Sequence, residues 1–307
     1  MGRYLVQRIA LSLLSLWVLA TVCFFLLRFL PGSPFLNDEA LHPAVRAAFE
    51  AQVGLQAPPL TQYFNYLSGL AQGNFGVSYD SPGVPVARLL AERWVPTASL
   101  AGLSFALSLA GLLLFAFIST RSARLRRAGM GVALLGFALP GLVLAPLLVD
   151  LFALKLGWFP VARIESAWGY VLPVIAMSVR PSLRLGQILA LELERLRRSD
   201  AARTARSLGF SEKRISFGWI FPEASVAVLA QLGTLFAQLL AGSFFVEVVF
   251  AIPGMGSLFA EGLTARDYPV VLGVALTTGA VAFASQLVVD LLLVRVDPRI
   301  ELTRGET

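Results

Sequence analysis

The chain has 307 residues, 57% of them apolar and only 14% charged, with 25 Lys and Arg against 19 Asp and Glu. A soluble domain carries about 25% charged residues, so a water-soluble globular enzyme is excluded. The basic residues are parcelled out between apolar runs rather than gathered on one stretch, which excludes a nucleic-acid partner and points to a lipid bilayer.

A helix rises about 1.5 Å per residue and a hydrocarbon core is about 30 Å thick, so about 20 residues cross it. Arg8 to Arg28 encloses 19 uncharged residues, Arg93 to Arg121 encloses 27, and Arg127 to Asp150 encloses 22. Glu223 to Glu247 encloses 23, and Asp267 to Asp290 encloses 22. A sixth run, Ser166 to Val179, has 14 residues before Arg180, Pro181 and Arg184 interrupt it. It reaches a spanning length only by continuing through Leu185–Leu191, as a short, broken fourth helix. Lipid satisfies no backbone polar group, so the runs are read as helices. The expected fold is all-α, a polytopic membrane protein of six transmembrane helices.

The N-terminal run exceeds the ~7–15 residues of a signal-peptide core, and Leu30-Pro31-Gly32-Ser33-Pro34 offers no small-residue cleavage site. Residues 1–30 are therefore expected to remain as the first span. Residues 31–96 form one long extracytoplasmic loop, with amphipathic stretches at His42–Val53 and Leu60–Leu70. Residues 97–294 form the core of five further spans, including a cytoplasmic segment at 192–222, and 295–307 form a tail. Short outer loops are expected at 155–169, with Trp158 and Trp168 suited to the membrane interface, and at 248–269. Sixteen Lys and Arg fall on the side of the N-terminus, the 192–222 segment and the tail, against six on the other side. The positive-inside rule puts the sixteen, and both termini, in the cytoplasm.

No catalytic, cofactor or metal site is expected. A phosphate-cradling loop needs Gly-Lys followed by Ser or Thr, and the two lysines, Lys155 and Lys213, follow Leu154 and Glu212. His42 and Cys23 are single and far apart, and Cys23 reads as a small apolar residue of the first span. Any ATP hydrolysis, with its Mg, must come from another subunit.

The segment 192–222 is different in kind. Ala201, Ala202, Ala205 and Leu208 recur at helical spacing and give a small apolar face, with Arg203 and Arg206 on the other. Gly209 follows as a helix-ending glycine. Ser211 is placed to cap a second short helix with Glu212 in its first turn. The reading is helix, Gly turn, helix, held at the membrane surface between two spans. A small-residue face lets another protein approach closely.

This segment resembles the coupling loop, or EAA motif, of importer-type ABC transporter permeases of the dipeptide/oligopeptide/nickel branch. Asp200, Arg203, Thr204, Ala205, Arg206 and Gly209 match in order, and Pro222 stands where the pattern has a proline. Further matches are Arg28-Phe29-Leu30-Pro31-Gly32-Ser33-Pro34, Gly73-Asn74-Phe75-Gly76-Val77-Ser78, Pro96-Thr97-Ala98-Ser99-Leu100 and Gly157-Trp158-Phe159-Pro160-Val161. Glu247 with Val249-Phe250 and Pro253-Gly254-Met255-Gly256, Arg266-Asp267-Tyr268-Pro269, and Asp290 with Asp297-Pro298-Arg299 complete the signature. The chain departs from the pattern at Trp219, Glu223, Gln286, Ser33 and Asn74, and across 180–195.

The resemblance implies a type I ABC importer permease fold in the bacterial plasma (inner) membrane. It implies a second homologous permease, two ATP-binding subunits and an extracytoplasmic solute-binding protein as partners, and peptides as substrate. Nickel chelates, glutathione and oligosaccharides are the alternatives. A secondary transporter working alone would show two inverted halves, which the sequence does not. The expected coupling residues are Asp200, Ala201, Ala202, Arg203, Thr204, Ala205, Arg206, Gly209 and Pro222, with Ala201, Ala202, Ala205 and Gly209 in close contact. Arg180, Arg184, Glu247 and Gln286 are the candidate path-lining or gating residues.

Overall fold

Five of the apolar runs fold, in the computed structural model, as helices long and apolar enough to cross a membrane: Val6–Phe29, Val86–Ser119, Ala167–Arg197, Glu212–Val249 and Tyr268–Arg295. The structure describes residues 2–29, 54, 56–121, 124, 125, 127–129, 131, 141–162, 164 and 166–296. The third expected span lies partly outside them, at 132–140, as do the amphipathic stretch 42–53 and the tail from 297.

The helices are α1 (Gly2–Phe29), α2 (Pro59–Ala71), α3 (Val86–Arg121), α4 (Gly141–Leu148), α5 (Val171–Arg197), α6 (Asp200–Ser207), α7 (Glu212–Ile215), α8 (Phe221–Val249), α9 (Met255–Ala265) and α10 (Tyr268–Val296). A wide π turn, Val149–Lys155, continues α4, and a second, Ser216–Ile220, leads into α8. Among the described residues the backbone pairs in strand fashion only at the isolated bridge between Val77 and Pro85.

Three expectations are corrected. The fourth run is not broken: α5 continues through Pro181 to Arg197. Its buried stripe, including Val174, Met177, Ser178, Ser182, Leu185 and Leu189, passes unbroken across the proline, while Arg180 and Arg184 stand on the exposed side. The Ser182 hydroxyl donates to the Ser178 carbonyl at 2.7 Å, next to the Met177 carbonyl that Pro181 leaves without an N–H. The long outer loop ends early, because α3 starts at Val86 and carries Pro96 inside it. Buried Val86 and Leu90 pack against Gly273, which holds this extra stretch. The third outer loop is mostly α9. The Thr97 hydroxyl accepts the Met255 N–H at 2.8 Å at its buried start, satisfying one donor that a helix leaves open there.

The chain divides into two compact units. One comprises residues 99–250 and 282–307. In it α5 packs along α8, and a Cβ on Gly111 or Gly186 would stand 2.5 Å from the Ser182 hydroxyl or 2.8 Å from the Phe115 side chain. These glycines let α3 and α5 meet backbone to side chain, the close approach that small residues give to membrane helices. The other unit comprises residues 2–98 and 251–281, so that 251–281 leaves the expected continuous block 97–294. Here Leu27, Val271 and Leu272 form a core joined by Phe24, Tyr66, Phe259 and Tyr268. Asp267 is buried and accepts from the Ser78 hydroxyl, from the Asp80 N–H at 3.2 Å and from the Val270 N–H at 3.4 Å. One carboxylate thus caps α10 and fastens the 78–80 turn.

Tyr79 sits beside this carboxylate. Burial, then the neighbouring Asp267, push its hydroxyl from 10.0 up to about 12, against a smaller opposing pull from Arg28. A raised phenol favours the folded state while neutral, so its contribution is complete below pH 10.0 and is lost as pH climbs towards 12. Thermal melting between those limits should fall more gently in Tyr79→Phe than in the parent chain.

Overpacking should be equally selective. Gly186→Ala should destabilise by about 1–3 kcal/mol, whereas Gly102→Ala, with nothing within 4 Å of its new methyl, should be neutral or slightly stabilising. Melting temperatures of the two variants in one detergent check this.

Candidate functional site

The segment between α5 and α8 takes its shape from local chemistry. Ser199 caps α6, its hydroxyl accepting the Ala202 N–H at 3.3 Å. The helix ends at Gly209, whose φ of +80° is the left-handed conformation glycine adopts without strain. The Gly209 N–H donates to the Arg206 carbonyl at 3.0 Å and the Phe210 N–H to the Ala205 carbonyl at 3.2 Å, which together form a Schellman closure. Ser211 caps α7 through the Arg214 N–H at 3.4 Å. The expected helix, Gly turn and second helix are all present, and Ser199 is a cap the sequence reading missed.

The arginines stiffen the segment. Arg206 meets Glu212 across the turn at 2.6 Å and donates to the Arg197 carbonyl at the end of α5 at 3.1 Å. It therefore ties three helices together. Arg203 pairs with Asp200 one turn away. Thr204 is exposed and its carbonyl accepts the Leu208 N–H at 3.0 Å.

The apolar face differs from its expected form. Ala202 is 0% exposed and packs into its own chain, so it is not available as a close-contact position. Adjacent residues on a helix point about 100° apart, and here that rotation turns Ala202 inward while Ala201 stays exposed. The exposed large apolar side chains are Leu208, Phe210, Phe217 and Phe221, at 71%, 40%, 75% and 38%, alongside exposed Ala201 and half-buried Ala205. Phe210 carries the Arg214 guanidinium over its ring at 4.7 Å. Leu208 was grouped with the alanines in the sequence, but nothing in the pattern separated it or the phenylalanines from the buried set.

Pro222 stands in the first turn of α8, directly after the π turn. The Phe221 N–H donates to the Ser216 carbonyl, a bond one residue longer than in an α-helix. Pro222 has no N–H with which to restore the α pattern to Gly218. The proline and the wide turn are thus one feature.

The membrane-depth candidates separate. Glu247 is 0% exposed, accepts from the Ser243 hydroxyl at 3.0 Å and faces protein. Gln286 is half-buried between helices. Its side-chain oxygen accepts from Thr234 at 3.3 Å, and its Cα would stand 2.9 Å from a Cβ on Gly233. Arg180 and Arg184 are exposed, one turn apart on α5. Arg184 shares a narrow groove of about 20 Å³ with Pro181, Leu185 and the α8 residues Gln231, Thr234, Leu235 and Gln238. Gln286 therefore stands behind this polar stripe through Thr234, while Glu247 is no part of it. A larger cavity of about 400 Å³ lies in the other unit, lined by Arg28, Gln62, Asn65, Tyr66 and Tyr79 among others. Burial holds the Tyr66 hydroxyl above the ordinary phenol range.

The family described as binding-protein-dependent transport system inner membrane component matches residues 98–302. The chain belongs to this family. The chain is 33% identical over 308 residues to the oligopeptide transport system permease protein OppB of Salmonella typhimurium, covering 98% of this chain and 99% of that one. It is 34% identical over 305 residues to the dipeptide transport system permease protein DppB of Bacillus subtilis, with the same coverage. The solved MetNI methionine ABC transporter, inward facing, aligns with a TM-score of 0.54 at 16% identity, over 68% of this chain and 96% of that one. A solved amino acid ABC transporter with histidines gives 0.52 at 20% identity, over 69% and 94%. The fold is that of a type I ABC importer permease. The chain is a multi-pass membrane protein and a permease subunit, not itself catalytic, that works with other ABC components.

Any side chain at Gly209 must adopt a left-handed backbone, at a cost of roughly 1–2 kcal/mol. Gly209→Ala should therefore speed hydrogen exchange of the amides at 205–210, measured by mass spectrometry, while the amides of α8 keep their protection.

Proposed function

We propose that this chain is one half of the membrane pathway of an ATP-driven importer of di- or oligopeptides. Similarity at 33–34% identity along nearly the whole chain to two peptide-system permeases carries the reading. The second half is a homologous permease. Two ATP-binding subunits, holding ATP and Mg, act from the cytoplasm, and a solute-binding protein delivers the peptide from outside. The chain sits in the bacterial inner membrane with six spans and both termini inside, in keeping with its distribution of arginines.

The chain makes and breaks no bonds. Residues 200–222 dock on an ATP-binding subunit, offering Ala201, Ala205, Leu208, Gly209 and Phe210 at the contact. Asp200, Arg203 and Thr204 flank it. Arg206, Ala202 and Pro222 act from behind, by fixing how α6 and α7 stand on α5 and α8. Closure of the ATP-binding subunits is felt here as a change in partner affinity. Only such a difference between two states moves an equilibrium between them.

Reconstitution tests this. Proteoliposomes holding this chain with its companion permease, ATP-binding subunits and binding protein should accumulate labelled Ala-Ala-Ala only when ATP is supplied. Gly209→Trp should abolish uptake while the chain still inserts. Gly209→Ala, which strains the turn without filling the contact, should retain a measurable fraction. Uptake without ATP, or by this chain alone, would overturn the reading.

A further inference from the structure

The polar stripe shared by α5 and α8 lies at a depth where a membrane helix has no ordinary use for it. Helix α8 runs from Phe221 to Val249, so its midpoint is Leu235. Gln231 and Gln238 stand within about 6 Å of that midpoint along the axis. Arg184 shares their groove and is itself the middle residue of α5, Val171–Arg197, so helix length alone sets it well inside the hydrocarbon. An arginine at that depth does not reach the headgroups. Ionisable side chains within spans face protein or a water-filled cavity. Arg184, Arg180, Thr234 and Gln238 are all exposed on this chain. Among the described residues neither arginine has an acidic partner.

The chemistry of the stripe is specific. Two guanidiniums one turn apart repel each other and call for a shared anion, and a guanidinium fork matches a carboxylate in particular. The neighbouring amides of Gln231 and Gln238 can donate to the same oxygens. Thr234 is held from behind by Gln286, so this part of the wall is fixed. The groove itself has room for about one water molecule, so an arriving carboxylate meets the arginines at its rim.

We infer that Arg180 and Arg184, with Gln231, Thr234 and Gln238, read the free carboxylate of a peptide as it passes this chain. The inference rests on the peptide-import reading above and adds to it the group recognised and the residues that recognise it. Every unmodified peptide brings one C-terminal carboxylate, which supplies transiently the counter-ion the stripe lacks among the described residues. A carboxylate fixed on the companion permease is the competing occupant, and it would give no dependence on the peptide's terminus.

The test compares ATP-driven uptake of Ala-Ala-Ala and of its C-terminal amide by the full reconstituted complex, with binding protein saturated by either peptide. The parent complex should favour the free acid by about tenfold, the scale of one charge-assisted hydrogen bond. Arg184→Gln should bring the ratio close to one, and Arg184→Lys, which keeps the charge but loses the fork, should give an intermediate ratio. The binding protein is the same in every preparation, so a change in ratio belongs to this chain. If Arg184→Gln does not assemble, Arg180→Gln and Gln238→Leu read the same ratio. A parent complex that imports Ala-Ala-Ala, with a ratio unchanged in these variants, overturns the carboxylate assignment alone. A parent complex that imports neither peptide overturns the peptide-import reading and this assignment with it.

Discussion

Hydrocarbon accepts neither a charge nor an unbonded backbone group, and the fold follows from that constraint. The long helices keep their backbone bonds to themselves. Where a bond is missing, a nearby side chain is present. Ser182 bonds a carbonyl one residue from the gap left by Pro181, Thr97 takes the first N–H of α9, and Asp267 takes those of α10 and of the 78–80 turn. Glu247 shows the same rule for a charge-bearing group. It stands at the end of a span, fully covered, with the Ser243 hydroxyl on its carboxyl. The exposed groups of the α5–α8 stripe are the exception, and an exception to so strict a rule is where function is to be sought.

Local features were legible in the sequence, and tertiary ones were not. Gly209 and Ser211 announced their roles because a left-handed cap and a hydroxyl cap depend only on near neighbours. Four of the five long apolar helices were visible as uncharged runs for the same reason. The face of α6 was misjudged because helical spacing says which residues share a side, not which side meets the rest of the protein. Ala202 went inward, and Leu208 and Phe210 were left outside. The continuity of α5 was missed because Pro181 and two arginines look like a break along the chain. In three dimensions they lie off the buried stripe. Gln286 read as a departure from a family pattern, and only the approach of Gly233 reveals it as a contact between helices.

The units also escaped a linear reading. Residues 251–281 group with the N-terminal part, and those from 282 with the central part, although one helix, α10, crosses that division. Helix α3 likewise contributes to each. A chain is cut into domains by eye at loops, whereas here the divisions at 98 and 281 fall inside continuous helices.

The π turn at Ser216–Ile220 sets an azimuth. It holds one residue more than the α-helical turn it replaces, and each added residue rotates all that follows by about 100°. Had α7 run into α8 as plain α-helix, Gln231, Thr234 and Gln238 would point about a quarter-turn away from Arg184. The wide turn and Pro222 therefore act as an indexing step in a shaft. They fix the angle between the α6–α7 segment and the polar stripe of α5 and α8.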